Sequence, residues 1–410
     1  MSVVAQPPVA AGAPAKETLG DSARRWWSGV RAGDLGSLPI IVGLVIIAIV
    51  FQVQNSNFLT SGNFVNLIVQ SAAYALVAMG VVFVLLLGEI DLSIGYVSGV
   101  AGVLAAILLN PDKNVPPTWL AVVLALGSGL AIGAIQGGII AKIGIPSFVV
   151  TLAGLLGWNG AVLLLIGDRG TVVLQNDFLI GLANNFLSDA LAWVAVVVCT
   201  ALYATVLLTR QRSRQRAGLV TEPILLVGMR IAGLGLALAV VTAICNQDRG
   251  VPWVGVIVAA LLVFWTFILR RTRFGRHIYA VGGNAEAARR AGIDVDRIRI
   301  ACFALCSFMA AVGGLVLASR LRSVDTNQGG GSILLYSIAA AVIGGTSLFG
   351  GRGHMKSAIL GALVIGSIDN GLGLLGLSSG TKFVVTAGVL LLAVMVDSLA
   401  KRGREHSGRA

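Results

Sequence analysis

Long apolar stretches separated by short polar segments occupy most of this chain. A helix that crosses a membrane needs about 20 apolar residues, and twelve stretches approach that length. They lie at about 38–54, 64–87, 92–109, 118–141, 146–166, 190–208, 223–245, 251–269, 298–318, 333–349, 355–375 and 382–400. The pattern predicts an all-α fold, a polytopic transmembrane helix bundle of about twelve spans, over 38–400. It leaves a polar, disordered arm over 1–37 and a short tail over 401–410.

Lysine and arginine are distributed unevenly between the polar segments. If the N-terminus lies inside, the inside segments carry 23 of the 30 Lys and Arg residues, and Arg230 lies within the seventh stretch. The outside loops carry six, which are Lys113, Arg169, Arg249, Arg320, Arg322 and Lys382. Because cytoplasmic loops of membrane proteins are enriched in basic residues, we expect an N-in, C-in orientation. The arm, the tail and two basic loops, 210–216 and 270–297, are then cytoplasmic.

The composition agrees with a membrane bundle. The chain is 56% hydrophobic and 12% charged and contains 53 glycines, which is too little charge to cover a soluble surface of this size. Gly129, Gly133 and Gly137 repeat every four residues, so they share one helix face and predict close helix packing. The net charge of +12 follows from the basic loops, and no patch combines basic with aromatic residues. We therefore expect a lipid environment and no nucleic-acid partner.

Two polar breaks interrupt the apolar pattern. The first reads GEIDLSIG over 88–95, and the second reads GGTSLFGG over 344–351. Paired interruptions in two halves of a transporter point to a substrate pathway, and a carboxylate at membrane depth is a functional candidate by default. The candidate pathway residues are Glu89, Asp91, Ser93, Thr346, Ser347, Asp369 and Asn370. Whether the two breaks form an internal repeat stays open.

The first break has two interpretations. Glu89 and Asp91 can cap a helix that starts at the aqueous edge, with Asp91 and Ser93 bonding its free N–H groups. Alternatively, the two carboxylates lie at membrane depth and have a function there. Because the break contains two acids and no base, the stretches at 64–87 and 92–109 can also be broken helices that meet inside the membrane instead of two full spans. Both interpretations stay open.

Residues 282–292, GGNAEAARRAG, predict a short capped helix inside the basic loop 270–297. Asn284 suits the N-cap position, and Gly292 suits the left-handed C′ position. Glu286 in the first turn, and Arg289 and Arg290 in the last, complement the helix dipole. Because a helix of about two turns is not stable alone in water, we expect it to dock on a partner outside the membrane.

The chain offers few groups for chemistry. Gly351–Ser357 approaches the phosphate-loop pattern, but Met355 stands where the second glycine belongs, so the backbone cannot wrap a phosphate. There are three histidines and no HExxH pattern. We therefore expect no catalytic residue, no metal site and no ATP site on this chain. If nucleotide powers transport, the motor is another polypeptide.

Several motifs, in order, resemble those of one family. Glu286-Ala287-Ala288, followed after three residues by Gly292, matches the EAA---G core of permease subunits of ATP-binding-cassette (ABC) importers. The segments 88–95, 280–293 and 342–351 resemble the GG-x-DLS-x-G element, the coupling loop and the second signature of the ribose/xylose branch. The match covers roughly 60–400. An additional pair of stretches near 190–245 is similar to xylose-type permeases, and Glu89 stands where the branch usually has Gly.

The resemblance implies a permease subunit, not an enzyme, of an ATP-driven importer. Its substrate would be a monosaccharide, in particular a pentose such as xylose. It would be located in the bacterial cytoplasmic (inner) membrane. The implied partners are cytoplasmic ATPase subunits that hold ATP, a periplasmic sugar-binding protein and a second permease copy. The implied coupling residues are Gly283, Asn284, Glu286, Ala287, Ala288, Arg289 and Gly292.

Two rival functions predict different chemistry. An ion-coupled secondary sugar transporter would use Glu89, Asp91 and Asp369 as a relay for protons or sodium. A membrane-embedded enzyme would need a catalytic cluster at one membrane face, and the sequence shows none.

Overall fold

The structure is a computed structural model that describes residues 37–111 and 115–406, together with residues 20, 24, 27 and 28. Apart from these few positions, the predicted arm lies outside the described residues, as do the last four residues of the predicted tail. The helices are α1 (Leu38–Gln54), α2 (Ser61–Leu86), α3 (Ile94–Leu108), α4 (Thr118–Ile143), α5 (Ser147–Ile166), α6 (Asp177–Asn184), α7 (Asp189–Arg216), α8 (Ile224–Cys245), α9 (Trp253–Arg271), α10 (Arg273–Gly283), α11 (Ala285–Arg290), α12 (Val295–Leu321), α13 (Ser332–Ile343), α14 (Met355–Leu374) and α15 (Ser379–His406). Two short strands, β1 (Thr171–Val173) and β2 (Ser323–Asp325), pair antiparallel.

Each of the twelve predicted stretches contains a helix, so the polytopic helical bundle is confirmed. Among the described residues, eight helices are long and apolar enough to cross a membrane, namely α2, α4, α5, α7, α8, α9, α12 and α14. Three more, α1, α3 and α13, are apolar but shorter. Helix α15 covers the last stretch and continues past residue 400 into the predicted tail.

The helices next to the polar breaks differ from the prediction. The second stretch is not a broken helix, because α2 runs without interruption through an apolar segment that contains no proline. The third stretch is short, since α3 begins only after the segment 87–93. Helix α13 ends at Ile343 instead of continuing to 349, because Gly344 and Gly345 follow it and Gly345 adopts a φ of +97°.

Two segments that were predicted as basic loops are largely helical. The arginines of 210–216 lie in the last two turns of α7. Arginine is a good helix former and its charge is favourable at a helix C-terminus, so the prediction of a loop there is wrong. The segment 270–297 contains the end of α9, all of α10 and α11, and the first residues of α12.

The chain folds as two compact units, of which the first contains α7 and α8 within Ser188–Gly250. These two helices contact each other. The Gln211 amide donates to the Glu222 carbonyl at 2.6 Å, and Arg230 forms an ion pair with the Glu222 carboxylate at 2.7 Å. Arg230 is therefore neutralised near the start of α8.

The second unit contains the helices of Gly36–Leu187 and Val251–Ala410 and is built around α2 and α12. Helix α12 contacts α2, α3, α4 and α6. The predicted glycine face of α4 packs on α12, as shown by Gly133, where an added Cβ would lie 2.8 Å from Ala304 Cα. Gly138, on another face of α4, has nothing within 4 Å. The prediction of close packing through these glycines is confirmed.

The loops of this second unit gather at two opposite ends of α2. Where α2 stops, Gly351 N–H donates to the Leu86 carbonyl at 2.8 Å, and Lys356 Nζ lies 3.0 Å from Ser37 Oγ. Where α2 starts, Asn55 Nδ2 donates to the Leu374 carbonyl at 2.9 Å. The first end, here named the coupling end, holds loops that the charge bias assigns to the inside. The second, here named the far end, holds loops assigned to the outside.

Candidate functional site

The predicted capped helix is present as α11. The Asn284 side chain accepts a hydrogen bond from the Ala287 N–H at 2.9 Å, so the predicted N-cap is confirmed. At the other end, Gly292 has a φ of +83° and its N–H donates to the Arg289 carbonyl at 3.0 Å. The next residue donates to the Ala288 carbonyl, also at 3.0 Å. These two bonds form a Schellman motif, so the predicted C′ glycine is confirmed.

Helix α11 presents most of its residues to the surroundings. Ala288 is the exception, since it is 5% exposed and packs in the core of its own chain. As an implied coupling residue, Ala288 was expected on the surface that faces a partner. It is buried instead, because so short a helix needs an apolar residue that packs on its own bundle. The exposed residues are Gly283, Asn284, Glu286, Ala287, Arg289, Arg290 and Gly292. The Glu286–Arg290 ion pair, at 3.1 Å, is exposed and therefore adds little stability.

Helix α10 connects α11 to the bundle and was not among the predicted elements. Phe274, Ile278 and Val281 follow the spacing i, i+4 and i+7 that marks one apolar helix face. Ile278 and Val281 are buried. The Thr272 side chain caps the helix by accepting from Gly275 N–H at 3.2 Å. The sequence signal was therefore present but short.

The last turn of α10 contacts the end of α2, next to the first break, and the loop that contains the second break. The Tyr279 hydroxyl donates to the Gly353 carbonyl at 2.8 Å, and burial raises the pKa of Tyr279, so the hydroxyl retains its proton for this bond. At Gly282 an added Cβ would collide with the Leu86 carbonyl oxygen and lie 2.9 Å from Gly351 N. Only glycine permits this approach of two backbones.

Glu89, in the first break, lies at the coupling end. Its carboxylate forms an ion pair with Arg299 Nε at 3.2 Å, and the two side chains are only 14% and 29% exposed. Arg299 belongs to the first turns of α12, which follows α11 in the chain. The pair therefore ties the first break to the helix that continues from α11.

Asp91 and Ser93 lie deeper in the bundle. Asp91 Oδ1 accepts from the Ser93 N–H at 2.9 Å, and the Ser93 hydroxyl lies 2.7 Å from Asp91 Oδ1 and 3.0 Å from Gln136 Oε1. Cys306 lies beside Asp91, and Asp91 Oδ2 is buried without a hydrogen-bond partner among the described residues. Cys306 is about 10 Å further along α12 than Arg299. Asp91 bonds the Ser93 N–H as expected, but Ser93 makes no side-chain cap bond to α3 and Asp91 is only 2% exposed. The predicted cap by Ser93 and the predicted aqueous edge are therefore wrong.

Thr346 and Ser347, in the second break, lie in the loop between α13 and α14. Thr346 is buried, and the Ser347 N–H donates to the Arg352 carbonyl at 2.9 Å. An added Cβ at Gly350 would lie 2.9 Å from Gly88 N. The two breaks therefore lie side by side at the coupling end, and α10 contacts the second of them at Gly351.

Asp369 and Asn370 lie in α14 near the far end. Asn370 exchanges two hydrogen bonds with Asn63, at 2.8 and 3.0 Å, and Gln70 Nε2 donates to Asp369. Lys382 Nζ lies 3.9 Å from Asp369. Gln70 is about 24 Å along α2 from its end at the coupling end. The predicted pathway residues therefore fall into two separate groups.

Several residues of these groups, among them Asn63, Gln70 and Arg299, were not among the sequence candidates. Asn63 and Gln70 are seven residues apart, so they share one face of an apolar helix. That spacing was a usable signal. No sequence signal pointed to Arg299, because its ion pair with Glu89 joins residues that are distant in the chain.

Comparison with known proteins agrees with this arrangement. Residues 63–396 match the family described as "Branched-chain amino acid transport system / permease component". The chain is 34% identical over 380 residues to the Xylose transport system permease protein XylH of Escherichia coli (strain K12), covering 92% of this chain and 95% of that protein. It is 33% identical over 377 residues to the Ribose import permease protein RbsC of the same organism, covering 92% and 97%.

A further relative is the Xylose transport system permease protein XylH of Haemophilus influenzae, which is 32% identical over 370 residues, covering 89% of this chain and 98% of that protein. No solved structure matches the chain. The family match includes the coupling end and the far end alike. This multi-pass helical membrane protein therefore belongs to the family of transport-system permease components.

Proposed function

We propose that this chain is the permease subunit of an ATP-driven importer that carries a monosaccharide, most of all a pentose such as xylose, across the bacterial inner membrane. The relatives named for xylose and ribose transport support the substrate class. The observation that carries the proposal is the coupling end, where α10 connects the exposed helix α11 to the end of α2, next to the first break, and to the loop that contains the second break.

The proposal assigns ATP hydrolysis to separate cytoplasmic ATPase subunits. Their docking surface on this chain is the exposed face of α11, centred on Glu286 and Ala287, with Ala288 as the internal anchor. A periplasmic sugar-binding protein delivers the sugar at the far end, and a second permease copy completes the pore. The coupling end is then cytoplasmic, as the charge bias predicts.

Coupling proceeds through rigid contacts. When the ATPase subunits close, they move α11, and α10 moves with it. The contact of Gly282 with Leu86 passes this motion to the end of α2, and its contact with Gly351 and the Tyr279–Gly353 hydrogen bond pass it to the loop that contains the second break. The Glu89–Arg299 ion pair joins the first break to α12. The pore thereby switches from outward-facing to inward-facing, and the binding protein supplies selectivity for the sugar.

The arrangement of acids bears on the ion-coupled rival. A relay needs Glu89, Asp91 and Asp369 within reach of one another. Glu89 is paired with Arg299, while Asp369 lies at the far end of α2 and is paired with Lys382. The separation favours ATP-driven coupling over a relay.

Reconstituted transport tests the proposal directly. The chain is purified from its native membrane to identify co-purifying ATPase subunits, and the complex is placed in vesicles with the binding protein. We expect uptake of labelled xylose or ribose only when ATP and the binding protein are both present. Uptake that is driven by an ion gradient without ATP would instead establish the secondary transporter.

Thiol labelling tests the predicted sidedness. Ser213→Cys and Ala285→Cys are made separately in a background without the four native cysteines. We expect an impermeant thiol reagent to label both in inverted vesicles and neither in intact cells. Labelling of Ala285→Cys from outside would place α11 beyond the reach of a cytoplasmic ATPase and refute the proposal.

A further inference from the structure

Four apolar helices of the second unit place polar side chains against one another near the far end. The members, here named the far-end cluster, are Asn63, Gln70 and Tyr74 of α2, Tyr336 of α13, Asp369 and Asn370 of α14, and Lys382 of α15. The coupling mechanism described above uses none of them.

Side chains of the cluster satisfy one another across helix boundaries. The Asn63 and Asn370 amides exchange two hydrogen bonds between α2 and α14, and Asn370 Nδ2 also lies 3.5 Å from Gln70 Oε1. Asp369 receives a hydrogen bond from Gln70 and lies 3.9 Å from Lys382 Nζ of α15. Because these partners belong to different helices, separation of α14 from α2 would expose donors and acceptors together.

The cluster leads from the far end towards the middle of the bundle. Asn63, Gln70 and Tyr74 are spaced by seven and four residues, so they lie along one face of α2 and span about 16 Å. At the inner end, the rings of Tyr74 and Tyr336 make a T-shaped contact with centroids 5.3 Å apart. Tyr336 belongs to α13, so the row of polar groups reaches one of the short helices.

The chemistry of the cluster suits a ligand rich in hydroxyl groups. A sugar hydroxyl both donates and accepts, the carboxamides of Asn and Gln do the same, the Asp369 carboxylate accepts, and the Lys382 ammonium donates. The aromatic pair adds rings for the C–H faces of a sugar. Simple adhesion between membrane helices would need only the amides. Adhesion between helices does not account for the Asp369–Lys382 pair, whose side chains are 17% and 25% exposed.

We propose that the far-end cluster is the subsite where the imported monosaccharide first binds this chain, and that the structure shows it closed. In this closed form the amides bind one another. When α14 and α15 move away from α2, hydroxyl groups of the sugar replace the amide partners. The identity of the ligand as a pentose rests on the proposed function.

A double substitution separates ligand binding from helix adhesion. In Asn63→Leu with Asn370→Leu, both partners of the reciprocal pair become apolar groups of similar size, which is nearly neutral for the pair itself, while the Phe58 carbonyl and Gln70 Oε1 each lose one hydrogen bond. We expect the assembled transporter to unfold at a slightly lower temperature but to stay folded and to keep its ATP hydrolysis. We expect sugar uptake to fall about tenfold or more, since hydrogen bonds to the ligand are lost.

Protection of a thiol gives a second, independent readout that needs no transport. Asn370→Cys is made in the cysteine-free background, with Ser378→Cys on the exposed far-end loop as the matched control. We expect xylose or ribose, at about 100 mM to saturate a site of ~1 mM affinity, to slow labelling of Asn370→Cys by a soluble thiol reagent. Labelling of Ser378→Cys should not change.

Each outcome decides the proposal. Uptake at the wild-type rate by the double variant, or labelling of Asn370→Cys that neither sugar slows, would refute the subsite. If the double variant fails to fold, the labelling result decides alone. If the wild-type complex imports no pentose while these sugars still protect Asn370→Cys, the subsite stands and the proposed function is wrong.

Discussion

The contact between α10 and the end of α2 gives the sharpest test of the coupling path. Gly282 approaches the Leu86 carbonyl so closely that a Cβ there would fall well inside 3.0 Å, a distance that real Cβ atoms essentially never show. The obstructing atom is backbone, so it cannot rotate away. We predict that Gly282→Ala displaces α10 from α2 by on the order of 1 Å.

The magnitude follows from two costs and one gain. Overpacking of a tight contact costs about 1–3 kcal/mol. The displacement also weakens the nearby hydrogen bond from Gly351 N–H to the Leu86 carbonyl, now 2.8 Å long, and a hydrogen bond left unmade costs about 1–3 kcal/mol. Alanine returns up to about 1 kcal/mol of helix propensity. The net loss is about 3 kcal/mol, which lowers the ratio of docked to undocked α10 about a hundredfold.

Hydrogen exchange of the purified permease measures the ratio of docked to undocked α10 without any partner. We expect amides of α10 in Gly282→Ala to exchange about a hundredfold faster than in the wild type, since exchange follows local opening. The matched control is Gly283→Ala, where an added Cβ has nothing within 4 Å. In that control, α10 should exchange at the wild-type rate or more slowly.

Functional measurements on the same variants complete the test. In the assembled transporter, Gly282→Ala should lose sugar uptake while the ATPase subunits still bind, because α11 retains its exposed face. If α10 of Gly282→Ala exchanges as slowly as in the wild type, the contact does not hold α10 in place. The coupling path drawn through it would then be wrong.

Three further predictions concern other contacts. Gly133→Ala should lower the thermal unfolding temperature of the purified permease because its Cβ meets the backbone of α12. Gly138→Ala, where the added Cβ has nothing within 4 Å, should raise that temperature slightly, because alanine is better than glycine by up to about 1 kcal/mol in helix propensity. Equal shifts in the two variants would contradict the packing. Glu89→Gln should raise ATP hydrolysis in the absence of sugar and lower sugar uptake. The double variant Glu89→Arg with Arg299→Glu exchanges the charges of the pair and should restore coupling. If coupling is not restored, the pair has no role in it. Ala287→Trp should abolish co-purification of the ATPase without changing the unfolding temperature of the permease, and retained co-purification would remove this residue from the docking surface.

The sequence by itself determined the local features of this protein. Apolar length alone predicted the helical bundle, because a membrane helix must satisfy its backbone internally over about 20 residues. The caps of α11 were also readable, since Asn284 and Gly292 act on backbone groups a few residues away. The glycine face of α4 was readable for the same reason, because its spacing follows from the helical repeat.

Only the tertiary structure decided how the polar residues are used. Glu89 and Asp91 are two positions apart, yet one forms an ion pair at the coupling end and the other is buried beside Cys306. Asp369 carried the same sequence signal as Glu89 but lies near the opposite end of the unit. A polar residue in an apolar stretch indicates that some partner must exist, because an unpaired charge in the bundle is costly. Which partner it finds depends on contacts between helices far apart in the chain, and these are set by the packing of the whole bundle.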